Sequence, residues 1–208
     1  MNKTRFIVAA ITALCLAGVA TLGAAQAQQP ATKRVRGTVE ALDGNALMVK
    51  TREGPVVKIT LADNVVVMGI TAVPVADIKP NSYVGIASKK GADGALRAIE
   101  VLVFPEAARG SGEGHNPWDL QPDSMMTNAT VGTVTPGANG RSLELTYKDG
   151  KQTILVPDGV PVVTFSPGDK ALLTKGVGVF IGGAQVAADG SLSTGRVLAG
   201  KGGVNPPM

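Results

Sequence analysis

The chain has 208 residues, and several residue types are almost missing from it. Cysteine occurs once, at Cys15. A chain cut beyond that point has no disulfide and no thiol nucleophile. Histidine also occurs once, at His115, which excludes a two-histidine metal site and any His-Glu-x-x-His zinc motif. Aromatic residues make up 3%, too few for the stacking platforms of a single-strand nucleic-acid groove, and nucleic acid is not an expected partner. No apolar run after Leu22 approaches the roughly 20 residues of a membrane helix, so no transmembrane segment is expected in the mature chain. There is no Gly-x-Ser-x-Gly elbow. Gly110-Ser111-Gly112-Glu113-Gly114 lacks the Gly-Lys-Ser/Thr ending of a phosphate loop. The chain is not read as an enzyme, and neither a catalytic residue nor a cofactor is assigned.

What is present begins with a targeting signal. Lys3 and Arg5 precede an apolar stretch at 6–16, and Ala25-Gln26-Ala27 is a small-x-small cleavage site. Cys15 follows Leu14, whose bulk suits lipoprotein processing badly. Removing residues 1–27 from 208 leaves 181, and the formal charge drops from +4 to +2 with Lys3 and Arg5. The expected location is periplasmic or secreted, after a cut following Ala27. The basic cluster Lys33-Arg34-Arg36 reads as a solvated arm.

The clearest internal signal is a repeat. Gly37-Thr38-Val39 matches Gly132-Thr133-Val134 at an offset of 95. Asp63, Val65 and Val67 match Asp158, Val160 and Val162 at the same offset. Leu47, Val49, Gly54, Asp93-Gly94 and Val101 match Leu143, Leu145, Gly150, Asp189-Gly190 and Val197 at 96. The pattern implies a duplicated unit of about 70 residues, at 35–105 and 129–200.

Each unit reads as strands. Asp43-Gly44 and Asp149-Gly150 mark hairpins, because Gly supplies the positive φ that tight turns need. Leu47 with Val49, and Val57 with Ile59 and Leu61, alternate on single faces. A short helical turn at 75–79 is stopped by Pro80. About five strands per unit predict an all-β chain of two tandem OB-like small β-barrels with a central irregular strap. The expected divisions are signal 1–27, arm 28–34, barrel 35–105, strap 106–128, barrel 129–200 and tail 201–208.

Gly37-Thr38-Val39, Lys79-Pro80-Asn81-Ser82-Tyr83-Val84 and Asp93-Gly94-Ala95-Leu96 together resemble the bacterial secreted domain of unknown function 5666, recurring in degraded form in the second half. The resemblance implies OB-like barrels in an envelope protein and brings no activity and no catalytic residues. The second half departs from it at Ser166-Pro167-Gly168-Asp169 and at Gly176-Val177-Gly178.

The strap holds the only Trp, the only His and the pair Met125-Met126. Its first part, 109–114, reads as a flexible linker. Trp118, Asp119 and Leu120 read either as a structural brace across both barrels or as an anchor for an envelope protein partner. His115, Met125 and Met126 are soft ligands suited to copper(I), although neighbouring strand residues point to opposite faces. The leading expectation is a non-catalytic periplasmic or cell-envelope binding or interaction module of unknown ligand. Copper handling through His115, Met125 and Met126 is the alternative, and an uncharacterised hydrolase the last.

Overall fold

The alternation in the sequence is realised as twelve strands in the computed structural model, which describes residues 31–206. The proposed signal and its cleavage site lie outside the described residues. The strands are β1 (Thr32–Asp43), β2 (Ala46–Thr51), β3 (Val56–Ala72), β4 (Tyr83–Lys90), β5 (Leu96–Val103) and β6 (Gly114–Trp118). They continue as β7 (Ser124–Gly137), β8 (Gly140–Tyr147), β9 (Gly150–Pro157), β10 (Val162–Pro167), β11 (Gly178–Val186) and β12 (Leu192–Gly200). The helical turn expected near Val75 is a single 3-10 turn, Val75–Asp77. Among the described residues no helix is long and apolar enough to cross a membrane.

Strands β1, β2, β3, β12 and β11 pair in that order, and β11 returns to β1, closing a five-stranded barrel. Its interior holds Val39, Leu47, Val49, Ile59, Ile181 and Val197, all at most 1% exposed. Each buried side chain of this kind contributes about 1.5–3 kcal/mol relative to exposure. An exposed ion pair such as Lys175–Glu40, at 3.7 Å, adds at most about 1 kcal/mol, so the interior governs stability. Gly37 permits the close approach of β1 to β2: a Cβ there would stand 2.1 Å from the Lys50 carbonyl oxygen.

The additional strands form a second ring of pairings, β7–β8–β9–β5–β4–β7. Its last leg is short, since β5 meets β9 only through Leu96↔Ile154 and Arg97↔Leu155. Ile86, Val101, Val131, Leu143, Leu145 and Ile154 fill its interior.

The strand pairing crosses the expected boundaries. Neither 35–105 nor 129–200 closes a ring alone. The first ring takes β1–β3 from the front half and β11–β12 from the back. The second takes β4–β5 from the front and β7–β9 from the back. The cause lies in β3. It runs on past Leu61 to Ala72, where Ile70 pairs with Phe165 of β10, and so carries the chain out of the first ring before β4 begins. β10 then joins the rings, antiparallel to β3 and parallel to β5 at Val162↔Val101.

The strap is also more regular than expected. Gly114–Trp118 forms β6, paired with β7 from Gly114↔Asn128 to Trp118↔Ser124. The stretch expected to be a flexible linker is pinned: Arg109 donates to the Asn81 carbonyl at 2.7 Å, and Asn128 Nδ2 donates to the Ser111 and Gly112 carbonyls at 3.1 Å.

Candidate functional site

Where the two rings meet, residues on their outward faces form a third apolar cluster. Ile70, Leu102, Val163, Phe180 and Leu198 are its buried members. Strand phase explains the placement. Val179 and Ile181 point into the first barrel, so Phe180 between them points out. Val101 and Val103 point into the second ring, so Leu102 points out.

Beside this cluster opens a groove of about 750 Å³, within the size range of small-molecule sites. Phe104, Trp118, Phe165 and Phe180 line it. The chain has only six aromatic residues beyond position 27, and four of them are here. A fifth, Tyr83, packs against Phe104 with centroids 5.2 Å apart. The rings meet edge to face: Phe104–Phe165 at 5.7 Å and Trp118–Phe180 at 6.4 Å. Leu102, Leu198 and Met126 complete the apolar lining, while Gly183 and Gly195 leave open space on one wall.

Trp118 is held from both sides. β6 fixes its backbone beside β7, and the buried Ser124 hydroxyl lies 3.0 Å from the Trp118 carbonyl oxygen. The Arg34 guanidinium lies 4.2 Å from the Trp118 ring centroid. Arg36, 9% exposed, stands 4.9 Å from the Phe180 ring and donates to Asp119 Oδ1 at 2.7 Å. Burial works to raise the Asp119 carboxyl. The hydrogen bond and charge of Arg36, with the charge of Arg34, outweigh it and hold the group below the ordinary carboxylate range. Leu120 follows, half-buried.

Two polar atoms facing this region are buried and without a hydrogen-bond partner, Trp118 Nε1 and Asn128 Oδ1. A third unpartnered group lies on the outward phase of β5. Glu100 is 1% exposed, and neither carboxyl oxygen has a hydrogen bond. Burial pushes its pKa up to about 8, against the opposing charges of Arg36 and Arg52.

The candidate copper ligands are divided. Met126 pairs across from Asn116 and lines the groove with Trp118. Met125 and His115 lie on the opposite face of the β6–β7 pair, the face of Thr127. His115 Nδ1 lies 2.8 Å from Thr127 Oγ1, and the ring stacks on Tyr147 at 6.4 Å. Burial pushes the imidazole below its usual pKa. Among the described residues no three His, Cys, Asp or Glu side chains converge.

The groove takes in Trp118 and Met126, which stand out in the sequence for other roles, a brace or partner anchor and a copper ligand. It also takes in Phe104, Phe165, Phe180, Asn128 and Arg196, which no motif or spacing singles out. The available signal was phase: Phe180 is aromatic at an outward position of an otherwise apolar-inward strand. No family model, curated protein or solved structure matches this chain.

Proposed function

We propose that the protein is a non-catalytic envelope binding module that holds a small, largely apolar ligand between its two rings. One observation carries the reading: a chain with 3% aromatic residues gathers four of them around a single groove. Scattered aromatics would serve packing equally well. Rings that flank open space supply contact area with little conformational freedom to lose on binding.

The two rings are OB-like and arose by duplication. Three features support this. Counted by place in the repeated unit, with β7–β9 matching β1–β3 and β4–β5 matching β11–β12, each ring runs first–second–third–fifth–fourth strand, with the third and fifth parallel, at β3–β12 and β9–β5. The offset that aligns the halves maps Val67↔Val197 of one ring junction onto Val162↔Val101 of the other. It also makes the paired residues Ile70 and Phe165 equivalent to each other. The Lys3–Arg5 start and the Ala25-Gln26-Ala27 site support export to the envelope. Copper handling gains nothing from the placement of His115, Met125 and Met126 on two faces.

Trp118 is the only tryptophan, so its emission reports on the groove. Titration of the folded protein with N-phenylnaphthylamine, a neutral apolar probe, should give saturable quenching of Trp118 emission with energy transfer to the probe. Linear, non-saturating quenching at every attainable concentration would overturn the reading.

A further inference from the structure

The wall of the groove formed by β11 and β12 has a gap in its sheet. β11 and β12 pair at Phe180↔Leu198 and again, in the same register, at Gln185↔Ser193. Between these points residues 181–184 and 194–197 make no pair with one another. Ile181 and Ala184 still pair with β1, and Thr194, Arg196 and Val197 with β3. Gly182, Gly183 and Gly195 pair with neither neighbour. The matching ladder of the second ring has no such gap: β4 and β5 stay paired from Val84↔Val103 to Lys90↔Leu96 with one register shift. The gap lies at glycines that line the groove, and peptide N–H groups outside a ladder are hydrogen-bond donors for an anion.

The charge of the lining points the same way. Arg196 and Leu198 share the outward phase of β12 beyond its register shift, and both line the groove, with Thr194 beside them. Among the described residues, Arg196 is the only charged side chain in the lining, which includes no carboxylate. Trp118 Nε1 is a further buried donor without a partner. The edge-to-face arrangement of the four rings suits another aromatic ring better than a flexible chain, because ring edges and faces are complementary in charge.

Resting on the reading of the groove as a small-molecule site, we infer that its ligand is a small aromatic carboxylate. The aryl body lies among Phe104, Trp118, Phe165 and Phe180, and the carboxylate is held by Arg196 at the β11–β12 gap. The other cations near Trp118, Arg34 and Arg36, face Asp119, and Arg196 is left to set the sign of the ligand.

The test is calorimetric titration of the full chain with naphthoate and with naphthamide, its neutral analogue of nearly the same shape. Naphthoate should bind the wild type about tenfold more tightly, the scale of a charge-assisted hydrogen bond. Arg196→Gln should remove that difference while leaving naphthamide affinity within about twofold, and Arg196→Lys should restore part of it. Equal affinity of the two ligands for the wild type, or equal loss of both in Arg196→Gln, overturns the carboxylate assignment and leaves the groove reading standing. Failure of both ligands to bind overturns the two together.

Discussion

Arg36 of β1 and Asp119, one residue beyond β6, meet at 2.7 Å although 83 positions separate them in the chain. The contact joins the first barrel to the strap and fixes Trp118 between two arginines and Phe180. Asp119→Ala removes one partner of Arg36. The carboxylate is half exposed, so solvent screening limits the loss to about 1 kcal/mol. The Asp119 carboxyl is held below its ordinary range, so the contribution is present above the unfolded-state pKa of about 3.9 and is lost as pH falls through the folded value. The expected result is a modest drop in Tm at neutral pH that disappears under acid conditions, accompanied by a shift in Trp118 emission. Thermal melts of wild type and variant from neutral to acid pH check both.

Glu100 has the opposite sign. Its pKa is raised by burial to about 8, so between about 4.3, the unfolded value, and about 8 the folded state holds a proton that the unfolded state has lost. Stability therefore falls as pH rises across that window and is level above it. Glu100→Gln keeps the shape and cannot ionise. The variant should match the wild type near the acid end of the window and exceed it at the alkaline end. Parallel pH profiles of Tm for the two proteins would show that Glu100 does not titrate in this way.

The exchange of strands between halves leads to a test on fragments. Residues 129–208 contain most of β7 and all of β8 to β12, and so lack β4 and β5, which the second ring needs, and β1–β3, which the first needs. Residues 80–159 contain one whole ring, β4 to β9, in continuous sequence. The second fragment should unfold cooperatively on heating, and the first should show no cooperative transition. Far-ultraviolet circular dichroism on both decides this.

The same exchange marks how far the sequence could be read. Alternation gave β2 from Leu47 and Val49, and the Asp-Gly turns gave the hairpins, because these signals are local. The repeat offset of 95 relates Ile70 to Phe165, and these two residues pair across β3 and β10. Which ring each strand joins is not local. It depends on β3 continuing through Asn64 to Ala72 as one element, and Ala62-Asp63-Asn64 looks like a place to stop. Of the groove residues, only Trp118 and Met126 stand out in the sequence, and there as a brace or anchor and a copper ligand. Phe104, Phe165 and Phe180 come from three separate strand regions, and no spacing in the chain announces that they converge.

Gly183 offers the most direct control over the groove. A Cβ built there meets no atom within 4 Å, its φ is not in the left-handed region, and the residue takes no part in strand pairing. Gly183→Leu can therefore add an isobutyl group to the open space with little strain on the backbone. The fold should tolerate it, with Tm within a few degrees of wild type. Binding of N-phenylnaphthylamine should weaken at least tenfold, because the added atoms occupy volume the probe needs and a loss of about 1.4 kcal/mol suffices for that factor. Leucine at the exposed Gly159, where a Cβ also meets nothing but φ is +81°, is the wrong control because the backbone itself would resist. Ser191→Leu, at an exposed position outside the groove lining, adds the same side chain without filling the site and should leave probe affinity unchanged. If Gly183→Leu and Ser191→Leu bind the probe equally well, the probe occupies some other surface, and the convergence of four aromatic rings is packing alone.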